Sequence, residues 1–279
     1  MTRTAPHRTG TGPAVSTTSV PDHAATLGGE SSETLIVVRD VSIWYGPGSA
    51  GPVLSGVSFA AKAGEFICLV GPSGCGKSTL LKAIAGFTPI GRGSIRVRGA
   101  EVTGPGSDRG MVFQEFALFP WLTVEQNVLF GDKASIGSLP ERRERATHYL
   151  DLVGLTAYRE YHPSQLSGGM RQRVALARAW ANQPTVLLMD EPFGALDART
   201  RQELQETLLR IFEKERTLCF FVTHDTSEAV YLADRVVVMH ARGATREEVV
   251  VGIPRPRDRH CEIVRAHVRD VDRLAWDAK

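Results

Sequence analysis

The sequence predicts an α/β fold with a mainly parallel core sheet, an antiparallel β subdomain beside it and an inserted helical subdomain. Three observations carry this. Phe66-Ile67-Cys68-Leu69-Val70, Thr185-Val186-Leu187-Leu188-Met189 and Leu218-Cys219-Phe220-Phe221-Val222 are continuous apolar runs, as in strands covered on both faces. Amphipathic helical runs alternate with them, which implies a wound sheet with its ligand at the carboxyl edge of the strands. Leu35–Tyr45, Val53–Phe59 and Gly93–Gly99 are β-branched or alternate with period two between turn residues, as antiparallel strands do.

Composition narrows the role. Of 279 residues 42% are hydrophobic and 23% charged, as in an ordinary globular chain. Lys and Arg number 33 against 31 Asp and Glu, so a net charge of +2 makes no electrostatic case for nucleic acid. No apolar run is long enough to span a bilayer, and a membrane role would pass through a partner. Residues 1–33, rich in Thr, Ser, Gly, Pro and Ala without an apolar core, are expected to form a disordered tail. Cys68, Cys75, Cys219 and Cys261 have no metal-ligand spacing and are expected to be reduced core or loop residues.

The stretch Gly71-Pro72-Ser73-Gly74-Cys75-Gly76-Lys77-Ser78-Thr79 fits G-x-x-x-x-G-K-S/T between the first buried strand and the helical run Leu80–Ala85. Glycines let successive N–H groups turn inward, and the helix opening at Lys77 adds the positive end of its dipole. Lys77 supplies charge for β- and γ-phosphates, and Ser78 a hard oxygen for Mg²⁺. Gly86 and Pro89 stop the helix. Met111-Val112-Phe113 is a short strand ending at Gln114. From Glu115 the pattern changes to loops, and then Pro140 opens a helix that carries Ala146, Tyr149, Leu150 and Val153 on one face; the interval reads as an inserted helical lobe, about residues 115–180.

Leu166-Ser167-Gly168-Gly169-Met170-Arg171-Gln172 opens the next helix, which Pro184 ends, and its glycines and serine make a second anion-binding surface. Asp190 and Glu191 end a buried strand, where adjacent acids suit a Mg²⁺ ligand and a general base. After Ala195-Leu196-Asp197 comes a helix with Leu204, Leu208, Ile211 and Phe212 on one side. His224 follows the next buried strand and is placed to donate to a γ-phosphate oxygen. Tyr45 or Trp44 offers a ring face for adenine. Arg235–Met239 and Glu248–Val251 are strands about a turn at Gly243, and Cys261–Trp276 is a helix with Val264, Val268 and Val271 aligned. The domain so defined is 34–256, with a helical tail at 257–279.

These residues together resemble the nucleotide-binding subunit of an ATP-binding cassette (ABC) transporter, a P-loop NTPase, from about Leu35 to Pro256. The resemblance implies that Tyr45 stacks on adenine, that Gly71–Thr79 is the Walker A loop and that Gln114, the Q-loop, joins Ser78 and Asp190 around Mg²⁺. It makes Leu166, Ser167, Gly168, Gly169 and Gln172 the signature motif for the nucleotide of a second copy. Ala195, Leu196 and Asp197 become the D-loop, Glu191 the catalytic base and His224 the switch histidine. Phe116–Val124 and Pro254-Arg255-Pro256-Arg257 are similar to the nitrate, taurine and aliphatic sulfonate importers. Such a subunit takes ATP and Mg²⁺, forms an ATP-dependent homodimer, and sits peripherally on the cytoplasmic face of the inner membrane. It drives a transmembrane permease fed by a solute-binding protein, and Pro120 and Trp121 fall where the permease docks. A cassette for lipid trafficking or export, or one working without a permease, is the alternative.

Overall fold

A computed structural model describes residues 17–18, 34–46, 51–130, 137–240 and 246–276. β2 (Thr34–Ile43) pairs antiparallel with β3 (Leu54–Lys62) and with β5 (Arg92–Val97), which turns back into β6 (Ala100–Glu101). The first strand stops at Ile43, two residues short of the sequence expectation, and leaves Trp44 and Tyr45 exposed. One face of this four-stranded sheet buries Ile36, Val38 and Ile95 against α1 (Lys77–Ala85) and β4 (Phe66–Val70).

The second sheet has the order β1-β11-β10-β4-β9-β8-β7. Its strands are β1 (Thr17–Thr18), β7 (Arg109–Val112), β8 (Val186–Asp190), β9 (Leu218–Val222), β10 (Arg235–Met239) and β11 (Arg246–Val250), beside β4. β10, β4, β9, β8 and β7 run parallel, and β11 and β1 close one edge antiparallel. All five residues of β4 and of β9 are buried, because helices or the other sheet cover both faces. Of residues 1–33, only Thr17–Thr18 are described, where they pair with Val249 and Glu248 on the outer edge of β11. The rest of that segment, and the turn expected at Gly243, lie outside the described residues.

The register sets the site. Val112 lies opposite Met189, Asp190 opposite Val222, and Val222 opposite Leu69, so the parallel strands end together. Gln114, Glu191, His224 and Gly71 each follow one of these ends by one or two residues.

Three helices form the lobe between β7 and β8: α2 (Val124–Phe130), α3 (Leu139–Leu152) and α4 (Gly168–Ala181). α3 begins as Pro140 implies, with Ser138 and Glu141 satisfying each other's backbone donors in a capping box. α2 falls in a segment expected to be loop. Its signal was a second capping box, in which Thr123 N–H donates to Gln126 Oε1 (2.9 Å) and Gln126 N–H to Thr123 Oγ1 (3.2 Å). α4 ends at Ala181, ahead of Pro184, because Asn182 Nδ2 donates back to Arg178 O and Gln183 turns left-handed at φ 48°. On the face of the sheet away from α1, α5 (Ala198–Glu215) buries Leu204, Leu208, Ile211 and Phe212, while α6 (Thr226–Leu232) packs against α7 (Glu262–Trp276).

Arg257 joins the end of the chain to this core. It is 6% exposed, and its guanidinium donates to the carbonyls of Val230 (2.7 Å), Tyr231 (3.1 Å), Ala233 (2.7 Å) and Ile253 (2.9 Å). Three of those carbonyls end α6, where unpaired C=O groups and the negative end of the dipole favour a cation. Lysine has neither the reach nor the fork to meet them. Arg257→Lys is expected to cost about 2–3 kcal/mol, seen as a lower denaturant midpoint at unchanged slope. An unchanged midpoint would show that those carbonyls have other partners.

Candidate active site

The Gly71–Thr79 loop is closed by atoms that leave no room for side chains. Gly71 has φ 145°, and a Cβ there would stand 2.1 Å from Met239 O. Gly76 has φ 101°, and its Cβ would stand 2.4 Å from Leu54 Cδ2. Only glycine meets both demands. Lys77 is 6% exposed, and its ammonium donates to Gly71 O (2.8 Å) and Pro72 O (3.0 Å). Among the described residues, no carboxylate lies within ion-pair distance of it. A buried cation held only by two carbonyls and the Cys75 sulfur is one that an anion can claim.

Ser78 Oγ donates to Asp190 Oδ1 at 2.7 Å, which brings the loop and the end of β8 to one point. Glu191 takes a left-handed backbone, φ 45°, uncommon for a residue with a side chain and costing about 1 kcal/mol. The chain pins it there: Glu191 N–H donates to Val222 O (3.1 Å), and Gly194 N–H to Glu191 O (3.2 Å). The result aims the carboxylate at the next strand's end, where His224 Nδ1 lies 3.2 Å from Glu191 Oε2. Gln114 reaches the same place, since a Cβ on Gly194 would stand 3.7 Å from both Gln114 Nε2 and Glu191 Oε2.

Trp44 and Tyr45 take different positions. Trp44 lies against Gly91, whose Cβ would come within 2.6 Å of the indole. Tyr45, 55% exposed, shares a hydrogen bond with Thr79 Oγ1 at 2.9 Å and so stands at the loop. The second anion surface is elsewhere. Ser167 caps α4 by accepting from Met170 N–H, and Gly169 packs so closely on α5 that its Cβ would lie 2.5 Å from Thr200 Cγ2. Asp197 caps α5, and the Thr200 N–H holds its carboxyl below the usual range. Leu196 lies beside Gly168, so Ala195-Leu196-Asp197 adjoins the second surface. No hydrogen bond among the described residues joins that surface to Gly71–Thr79. Gln172 departs from expectation: it shares the inward helix face of Gly169, is fully buried and leaves both amide atoms unpartnered. Leu166 is likewise turned inward, while Ser167 is exposed.

The residues present fit a nucleoside triphosphate with a divalent cation. The glycine-walled loop, the uncompensated Lys77 and the paired hard oxygens of Ser78 and Asp190 suit phosphate and Mg²⁺. Among the described residues no group of three His, Cys, Asp or Glu can hold a metal, so a cation here would draw the rest of its shell from phosphate oxygens and water.

Residues 54–194, half of the chain, match the family model described as ABC transporter. The chain belongs to that family. This ABC ATPase domain is 50% identical over 202 residues to the nitrate import ATP-binding protein NrtD of Synechocystis, covering 72% of this chain and 76% of the relative. It is 46% identical over 232 residues to the bicarbonate transport ATP-binding protein CmpD of Synechococcus elongatus, covering 81% and 84%. Among solved structures, the dimeric bacterial ABC transporter cassette MJ0796 matches with a TM-score of 0.69 at 32% identity, over 79% of this chain and all of that one. The same cassette with ADP and phosphate bound matches with a TM-score of 0.68 at 32% identity, over the same shares.

The cassette also carries a buried network behind His224 that sequence reasoning missed. Glu228 accepts from Thr223 Oγ1 (2.5 Å) and Gln205 Nε2 (2.7 Å), and burial raises its carboxyl above the usual range. Asp225 and Glu228, three apart at the start of α6, were the available signal. Among the described residues, no helix is long and apolar enough to cross a membrane.

Proposed function

We propose that this cassette hydrolyses ATP and drives a membrane permease importing a small solute of the nitrate, taurine or aliphatic sulfonate kind. The observation that carries the ATPase mechanism is the meeting of three features at one sheet edge: the Lys77 loop, the Ser78–Asp190 pair and the Glu191–His224 pair. In this reading Gly71–Thr79 cradles the phosphates, with Lys77 charging the β- and γ-groups and Tyr45 meeting the base. Ser78, Asp190 and Gln114 hold Mg²⁺, which when bound offsets charge on the phosphoryl oxygens. Glu191 takes the proton of the attacking water, and His224 orients Glu191 and donates toward the γ-phosphate. Ser167, Gly168 and Gly169 serve the nucleotide of a second copy, with the D-loop between. The dimeric relative supports that pairing.

Import is supported by the two transport relatives and by an aromatic groove between the core and the helical lobe. A cavity of about 460 Å³ is lined by Phe87, Met111, Phe113, Phe119, Phe130 and Arg178. Trp121, 69% exposed, leans on Phe119 at its rim, with ring centroids 5.5 Å apart. Such a groove suits a short amphipathic helix of a permease. Affinity purification from native membranes is expected to recover a multi-span protein with the parent chain and to lose it with Trp121→Asp. Recovery of soluble proteins alone would overturn the permease reading.

A further inference from the structure

The first turns of α5, the start of α6 and the helix α7 enclose a cleft of about 530 Å³, and no residue of Gly71–Thr79 lines it. Four guanidinium groups reach its wall, from Arg201, Arg259, Arg265 and Arg269, against two carboxyls, Asp225 and Glu228. Both carboxyls are engaged within the fold. Asp225 Oδ1 accepts from the N–H groups of Ser227 (2.9 Å) and Glu228 (3.2 Å), and its Oδ2 lies 3.9 Å from Arg201 Nη1. Glu228 is tied to Thr223 and Gln205, and burial favours its neutral form.

The arginines keep capacity to spare. Arg269 shares Glu262 at 2.6 Å, but among the described residues neither Arg259 nor Arg265 has a carboxylate within ion-pair distance. Arg201 Nε is buried without a hydrogen-bond partner. Arg259 is also held in place: its guanidinium lies 3.3 Å from the centre of the Tyr231 ring and donates to Gln205 Oε1 at 2.6 Å. Arg201 and Arg259 are partly buried and held, while Arg265 and Arg269 are exposed and add charge at the mouth; guanidinium forks so arranged select oxyanions by bidentate hydrogen bonding.

We propose that this cleft binds a free oxyanion carrying two or more negative charges, at a site separate from the phosphate loop. The cleft shares Arg201, Asp225 and Glu228 with the small crevice at Glu191 and His224. An anion held there therefore bears on the residues that position the hydrolytic pair.

The test is a calorimetric titration of the full chain with sulfate, against chloride at matched ionic strength. It is made in a Lys77→Ala background, which takes the cation from the competing loop and weakens anion binding there. One sulfate is expected to bind in that background and to be weakened at least about tenfold by Arg259→Gln and by Arg265→Ser. Arg259 also packs on Tyr231, whereas the Arg265 side chain is exposed and makes no hydrogen bond among the described residues, so its replacement is expected to leave the fold intact. A melting curve checks this. Sulfate binding that survives both replacements, or that is already absent with Lys77→Ala alone, overturns the site. Neither result depends on whether the cassette hydrolyses ATP.

Discussion

Glu191→Gln is expected to lower ATP turnover by about 10²- to 10⁴-fold, the range for loss of a general base, while ATP affinity stays at the parent value. Glutamine keeps the shape and both hydrogen-bonding atoms but cannot take a proton from water. The left-handed turn at Glu191 is held by backbone bonds to Val222 and from Gly194, not by its carboxylate, so the loop should survive the change. The loss is therefore one of chemistry and not of binding. Phosphate release, nucleotide binding and sizing in ATP and Mg²⁺ read the three consequences, the last as an accumulating dimer. A parent-like rate would remove Glu191 from the role of base.

The second large effect concerns the divided site. Lys77→Ala and Ser167→Arg are each expected to reduce turnover at least about a hundredfold. The first removes charge from the phosphate loop, and the second places a long cation where the exposed Ser167 would meet the other copy's nucleotide. Ser167 also caps α4, but losing that cap costs only about 1 kcal/mol, so the protein remains folded. If each nucleotide lies between Lys77 of one copy and Ser167 of the other, mixing the two dead variants regenerates one intact site per mixed dimer. Random pairing makes half the dimers mixed, so activity should return to about a quarter of the parent rate. No recovery, with mixed dimers verified by sizing, would mean that the two surfaces do not act on one nucleotide.

The residues of the phosphate loop were legible because their chemistry is local. Glycine at Gly71 and Gly76, a lysine at the opening of a helix and a hydroxyl after it are requirements that neighbours in sequence impose on one another. The buried strands were legible for a similar reason: runs such as Phe66–Val70 and Leu218–Val222 have no polar face to offer solvent, and the acids and histidine at their ends stand out against them. The short helices α2 and α6 were not read. Neither is long enough to show a helical period, and their capping pairs, Thr123 with Gln126 and Asp225 with Glu228, were the remaining trace.

The residues alone left Trp44 and Tyr45 open and the resemblance pointed to Tyr45; their separate contacts, with Gly91 and Thr79, needed the tertiary structure because those residues are distant in the chain. So did the burial of Gln172, which depends on how closely α4 lies against α5 at Gly169 and Thr200. The strained backbone at Glu191 leaves no mark in composition, and Arg257 reads as one more surface cation until α6 is placed beneath it. The sequence by itself determined the glycine-rich loop, the acid pair and the strands that carry them, since each is written in adjacent residues. Tertiary structure alone decided which side chains meet, because contacts between Ser78 and Asp190 or between Glu191 and His224 exist only once the parallel register brings separate strand ends to one edge.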